Sequence, residues 1–135
     1  MTKILIAEDS NLIQKLIRTI IEKEKNFEIV AVAGDGEEAC KKVADLRPDI
    51  VLMDIRMPKM GGMDAIRKIM SETPTPIIVI SSAEPPGEVK AQALKNGAVS
   101  YIEKPKALDF SSIANKIITD IRTLSRLKLQ KKVFN

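Results

Sequence analysis

Apolar positions along the chain follow two different periods. Short continuous apolar runs occur at Lys3–Ala7, Phe27–Ala33, Ile50–Met53, Ile77–Ile80 and Val99–Ile102. Runs of this length are the pattern of strands buried on both faces. Between them, apolar residues recur every three or four positions. Leu12, Ile13, Leu16, Ile17, Ile20 and Ile21 make one apolar helical face. Further helices are predicted from about Gly36 to Leu46 and from Met63 to Ser71, with a short one ending near Asn96-Gly97. A last helix carries Ile113, Ile117, Ile121 and Leu124.

Local signals punctuate this pattern. Ser10 or Asn11 can cap the first helix. Asp35 and Glu38 form a capping-box-like start to the second, and Pro48 stops it. Asp64 suits the positive end of the third helix, and Thr73-Pro74-Thr75-Pro76 breaks the pattern after it. Pro85-Pro86-Gly87 precedes the fourth helix, and Gly97 suits the position just past its end. Asp109 or Ser111 can open the last helix. Five strands alternating with five helices imply an α/β, doubly wound domain: a parallel sheet covered on both faces.

Composition narrows the chemistry. At 135 residues, 44% apolar and 30% charged, the chain suits one globular domain. No apolar run approaches the roughly 18–20 residues of a membrane span, and the N-terminus enters a strand pattern directly, with no secretory signal in view. Cys40 is the lone cysteine, which excludes an internal disulfide and a cysteine zinc site; it reads as a small buried side chain on a helix. Histidine is absent, so imidazole bases, Ser-His-Asp catalysis and histidine metal ligands are excluded. Any metal must be held by oxygen, which favours Mg²⁺, Mn²⁺ or Ca²⁺. Neither glycine-rich nucleotide-loop fingerprint is present.

The net charge of +4 is uneven. Lys116, Arg122, Arg126, Lys128, Lys131 and Lys132 face Asp120 alone in the C-terminal segment. That segment reads as a solvated helix face running into a linker. Without interleaved aromatics it is a poor nucleic-acid surface.

Parallel strands present their C-terminal ends on one edge, where open α/β sheets bind ligands. Glu8 and Asp9 follow the first strand, Asp54 the third, Ser81 the fourth and Lys104 the fifth. Crowded carboxylates repel one another, so one protonates unless a cation neutralises them. A hard divalent ion does so, leaving Lys104 and Ser81 suited to phosphoryl oxygens.

With these residues in order and at the right element ends, the chain resembles the receiver domains of two-component response regulators. The resemblance covers residues 3 to about 125 and rests on Glu8-Asp9, Met53 to Gly62, Ser81, and Gly97-Ala98 through Lys104-Pro105. It implies a flavodoxin-like fold with strand order 2-1-3-4-5. It also implies a Mg²⁺-dependent phosphorylation switch in the cytoplasm. Asp54 would accept a phosphoryl group from the phosphohistidine of a sensor histidine kinase. Asp9 would ligate Mg²⁺ directly, Glu8 directly or through water, with Asp54 and the Arg56 backbone carbonyl completing the protein ligands. Lys104 would pair with the phosphoryl group or, before transfer, with Asp54. Ser81 and Tyr101 would form the switch, Tyr101 turning inward as Ser81 moves. The Lys104-Pro105 bond matches one that is usually cis in the family.

Glu8 stands where aspartate is more frequent in the family, Gly61 where an acidic or polar residue is frequent, and Ser81 where threonine is frequent. The Ser81-Ser82 start, Gly97 to Tyr101 and the basic last helix are most similar to the receiver of chemotaxis protein-glutamate methylesterases, in which a linker leads to an esterase domain. The expected division is a receiver over residues 1–125 and a basic tail or interdomain linker over 126–135. Without histidine, no esterase chemistry is expected of these residues, and the resemblance implies only self-phosphorylation and slow autodephosphorylation. The partner that the resemblance implies, besides the kinase, is a downstream effector protein or a covalently linked esterase domain. The alternatives are a stand-alone regulator outside chemotaxis, an aspartate-nucleophile phosphohydrolase, which Arg56 disfavours by occupying the place of a second acid, and a flavin module. The Met53, Met57, Met60 and Met63 cluster reads as packing.

Overall fold

A computed structural model of the chain describes residues 1–134. Five strands and five helices alternate: β1 Thr2–Ala7, α1 Asn11–Glu22, β2 Phe27–Ala33, α2 Gly36–Leu46, β3 Ile50–Met53, α3 Gly62–Glu72, β4 Ile77–Ser81, α4 Pro86–Lys95, β5 Ser100–Glu103 and α5 Ser111–Leu124. The strands are all parallel and lie in the order β2-β1-β3-β4-β5.

The continuous apolar runs are explained by what covers each face. Leu5, Ala7, Val51, Met53, Ile77 and Val79 point to one side, where Ala39, Val43, Ala65, Ile66, Ile69 and Ala93 of α2, α3 and α4 meet them. The alternate positions Ile4, Ile6, Ile50, Leu52, Ile78 and Ile80 pack against Ile13, Ile17, Ile21, Ile117 and Ile121 of α1 and α5. Each fully buried side chain of this size stabilises the fold by about 1.5–3 kcal/mol. Met53 is in the first of these cores, and Met57, Met60 and Met63 pack against it, as packing residues should.

Most element ends follow local chemistry. Ser10 caps α1 and Asp35 caps α2, each by accepting a backbone N–H three residues on. Glu38 reaches back to the Gly34 N–H, one residue before the place a standard capping box would use. After α4, the Gly97 N–H bonds Leu94 and the Ala98 N–H bonds Ala93, the paired closure expected of a glycine there (φ +117°).

Several expectations need correction. Leu12 is 55% exposed, because it sits at the start of α1, off the face that meets the sheet. The fourth helix begins at Pro86, inside the segment expected to precede it, since proline is well suited to a first helical turn. The last helix opens at Ser111, one of the two starts expected, with Phe110 at the cap position and no side-chain cap bond. The cis bond is Glu84-Pro85, not Lys104-Pro105. The two isomers of any X-Pro bond differ little in energy, so surroundings select between them.

The C-terminal segment also differs from a solvated extension. Past α5 it crosses the N-terminal edge of the sheet beside Pro48, Asp49 and Pro74. Leu129 and Phe134 then pack against the α2–α4 core. The Lys132 N–H donates to the Met70 carbonyl at 2.9 Å, and the Arg67 guanidinium lies 4.9 Å from the Phe134 ring centre. Apolar side chains spaced along a basic tail outweigh its charge in deciding where it lies.

Candidate functional site

The sheet ladder carries the rim residues to one edge. Each sits at or just beyond a strand end, and three of them have their backbone tied to the neighbouring strand. The Glu8 N–H donates to Ala33 of β2, the Asp54 N–H to Ala7 of β1, and the Lys104 N–H to Ser81 of β4, all at 2.9 Å. Because β1 and β3 pair Ala7 with Met53, Glu8 and Asp54 emerge side by side.

The structure brings Glu8, Asp9, Asp54 and Lys104 together. One carboxylate oxygen from each of Glu8, Asp9 and Asp54 lies within 4.8 Å of the others. Glu8, Asp54 and Lys104 are buried, whereas Asp9 is exposed. The Lys104 ammonium bridges the two buried acids, 2.7 Å from Glu8 Oε1 and 3.1 Å from Asp54 Oδ2. The other Glu8 oxygen accepts the Ser10 N–H at 3.0 Å, and Asp54 Oδ1 accepts the Ile55 N–H at 2.8 Å. The Arg56 side chain is exposed.

The Glu8–Lys104 contact is shorter than the Lys104–Asp54 pairing that was anticipated. The signal for it was the glutamate itself, whose extra methylene lengthens its reach. Gln14 was also missed: its side-chain amide donates to the Glu8 carbonyl, tying the first turn of α1 to the rim. A glutamine four residues into a helix carries no sequence signal for that role.

The electrostatics follow from burial and crowding. Burial, aided by the Asp54 charge, raises the Glu8 pKa, against the opposing bonds from Lys104 and Ser10. Burial works to lower the Lys104 pKa, but the bond to Glu8 and the charge of Asp54 outweigh it, and the net shift is upward. One ammonium does not neutralise three carboxylates, so the rim keeps net negative charge. With only oxygen donors, that set suits a hard divalent cation.

Ser81 is fully buried, and its Oγ accepts the Ala83 N–H at 2.9 Å. A hydroxyl that accepts one bond still has its proton to donate. Tyr101 packs against the α2–α4 core, and its hydroxyl is buried and has no hydrogen-bond partner among the described residues. Burial raises its pKa, with the Glu103 charge adding.

The comparisons with known proteins agree with one another. Residues 4–117 match the family model of the response regulator receiver domain. The chain is 40% identical over 134 residues to a protein-glutamate methylesterase/protein-glutamine glutaminase of Methanococcus maripaludis, covering 96% of this chain and 37% of that protein. A protein of the same description from Syntrophus aciditrophicus is 40% identical over 133 residues, covering 96% and 38%. The chain thus spans little more than a third of these relatives' length. The crystal structure of the response regulator domain of Thermotoga maritima CheB superposes with a TM-score of 0.90 at 33% identity, covering 95% of this chain and 98% of that one. The CheX-CheY-BeF₃-Mg²⁺ complex from Borrelia burgdorferi matches at 0.77 and 31% identity, covering 87% of each chain.

Proposed function

The chain belongs to the response regulator receiver domain family, and we propose that Asp54 is its phosphoacceptor, taking a phosphoryl group from the phosphohistidine of a sensor kinase. Receiver domains work with histidine kinases and effectors and bind Mg²⁺ at an acidic pocket. The observation that carries the reading is the buried Lys104 ammonium held 3.1 Å from Asp54 Oδ2 beside a cluster of acids.

Asp54 attacks phosphorus, its oxygen–phosphorus bond forming as the phosphorus–nitrogen bond of the phosphohistidine breaks. The imidazole leaves and takes up a proton. Asp9, Glu8, Asp54 and the Arg56 carbonyl would hold Mg²⁺, which neutralises charge on the transferring group and its acceptor. Lys104 exchanges part of its contact with the acids for a phosphoryl oxygen. Ser81 donates its free proton to another, which draws the loop after β4 inward. The buried Tyr101 hydroxyl is the second element of the switch. Transfer adds charge and acceptor oxygens, biasing which arrangement of Ser81 and Tyr101 is populated.

By similarity to methylesterase receivers, the output is regulation of a linked esterase domain or a separate effector protein in chemotaxis-type signalling. A cytoplasmic location would go with that role. The test is incorporation of labelled phosphate from phosphoramidate with and without Mg²⁺. Wild type should take up label only with the metal, and Asp54→Asn should take up none; equal labelling of Asp54→Asn would overturn the assignment.

A further inference from the structure

We propose that Gly36, at the first turn of α2, is a positioning residue that holds the loop Ile55–Gly61 and, through it, the Arg56 carbonyl at the metal site. The inference rests on the reading of that carbonyl as a Mg²⁺ ligand.

The loop has few anchors. At its base the Gly62 N–H donates to the Ile55 carbonyl at 2.7 Å. Among the described residues, the peptide groups of Arg56–Lys59 make no hydrogen bond. At its far end the Gly61 carbonyl accepts the Ala65 N–H of α3 at 3.1 Å, and Ile55, Met57 and Met60 pack against the core. Another element holds the backbone beside the tip: the Gly36 N–H donates to the Met60 carbonyl at 2.8 Å. One residue earlier on each side, Asp35 Oδ2 faces the Lys59 ammonium at 4.0 Å. Lys59 itself sits at φ +64°, a left-handed conformation costly for a residue with a Cβ.

Glycine at position 36 is required by that approach. Its φ is not positive, and glycine inside a helix is less favourable than alanine by about 0.5–1 kcal/mol. A Cβ there would lie 2.4 Å from the Met60 carbonyl oxygen and 2.9 Å from the Met60 carbonyl carbon. Those are backbone atoms, so no side-chain rotation relieves the overlap and the loop must move. Mg²⁺ demands near-ideal octahedral geometry, so a displaced carbonyl weakens binding sharply. Gly34, two residues away, has nothing within 4 Å of its missing Cβ and serves as the control.

The experiment compares Gly36→Ala, Gly34→Ala and wild type by Mg²⁺ calorimetry, by metal-free amide NMR spectra and by thermal denaturation. Gly36→Ala should weaken Mg²⁺ binding about five-fold or more and shift the amides of the loop before metal is added, while Gly34→Ala does neither. A role in helix stability alone predicts an altered melting temperature with unchanged Mg²⁺ affinity, and that result overturns the proposal. Should Gly36→Ala not fold, wild type still decides. Coupling is reciprocal, so Mg²⁺ must slow hydrogen exchange at the Gly36 amide; an unchanged rate there overturns the proposal. If wild type binds no Mg²⁺, the reading of the metal site fails instead, and the metal-free loop shifts judge the clamp on their own.

Discussion

The Lys104 ammonium lies 2.7 Å from Glu8 Oε1, closer than it lies to the proposed phosphoacceptor. This pair joins residues 96 positions apart in the chain and is almost wholly buried. It gives the rim a resident cation that neutralises part of the acid cluster before any metal binds.

Lys104→Met should therefore leave crowded acids with no positive partner. Removing one side of a buried pair costs about 3–5 kcal/mol. Urea denaturation in chelator should show a loss near that range. Millimolar Mg²⁺ should restore more stability to Lys104→Met than it adds to wild type. Equal Mg²⁺ stabilisation of the two proteins would mean that the acids do not share one cation site.

Tyr101→Phe removes a buried hydroxyl that has no hydrogen-bond partner among the described residues. An unsatisfied buried polar group costs about 1–3 kcal/mol. The variant should be more stable than wild type by about 1 kcal/mol in the unphosphorylated state, as read by the urea midpoint. A destabilised variant would show that the hydroxyl makes a bond in solution.

Burial pushes the pKa of the Cys40 thiol up to about 11 from its ordinary value of 9.0. The folded state keeps the thiol protonated while the unfolded chain ionises it. Its stabilising contribution is thus complete below pH 9.0 and declines as pH rises toward about 11. Urea midpoints measured from pH 7 to 11 should converge between wild type and Cys40→Ala at the alkaline end. Parallel curves would exclude the shift.

The tail contributes to the fold through Phe134, its contact with Arg67, and Lys132 bonded to Met70. Phe134→Ala should destabilise by about 1 kcal/mol, from lost burial and a cation–π contact. The Lys132 amide should exchange more slowly than those of neighbouring tail residues in wild type, and faster in the variant. Exchange at the unprotected rate in wild type would show that the tail does not rest on α3.

Much of the site could be read before the fold was known. Asp54 stood out because a carboxylate directly after a fully apolar strand has no solubility role there. Glu8, Ser81 and Lys104 followed from the rule that parallel strands end on one edge. Gln14 and Gly36 gave no such signal. Gln14 is a polar residue among polar neighbours on α1, and Gly36 looked like an ordinary helix start. Their contacts, to the Glu8 carbonyl and the Met60 carbonyl, are with backbone that other elements deliver. The tail's basic side chains are exposed, as their charge suggests, but its seat was not legible, because the core surface receiving Leu129 and Phe134 exists only after α3 has packed.

By itself, the sequence determined the elements, the two-faced burial of the sheet and the residue types at its rim. These follow from periodicity, since a strand buried on both faces is apolar at every position and a packed helix is apolar on one stripe. The tertiary structure decided how Lys104 divides itself between Glu8 and Asp54, which proline bond is cis, and what holds the loop beyond Asp54. Those outcomes depend on strand register and on distances of a few ångströms between residues far apart in the chain, which local pattern does not encode.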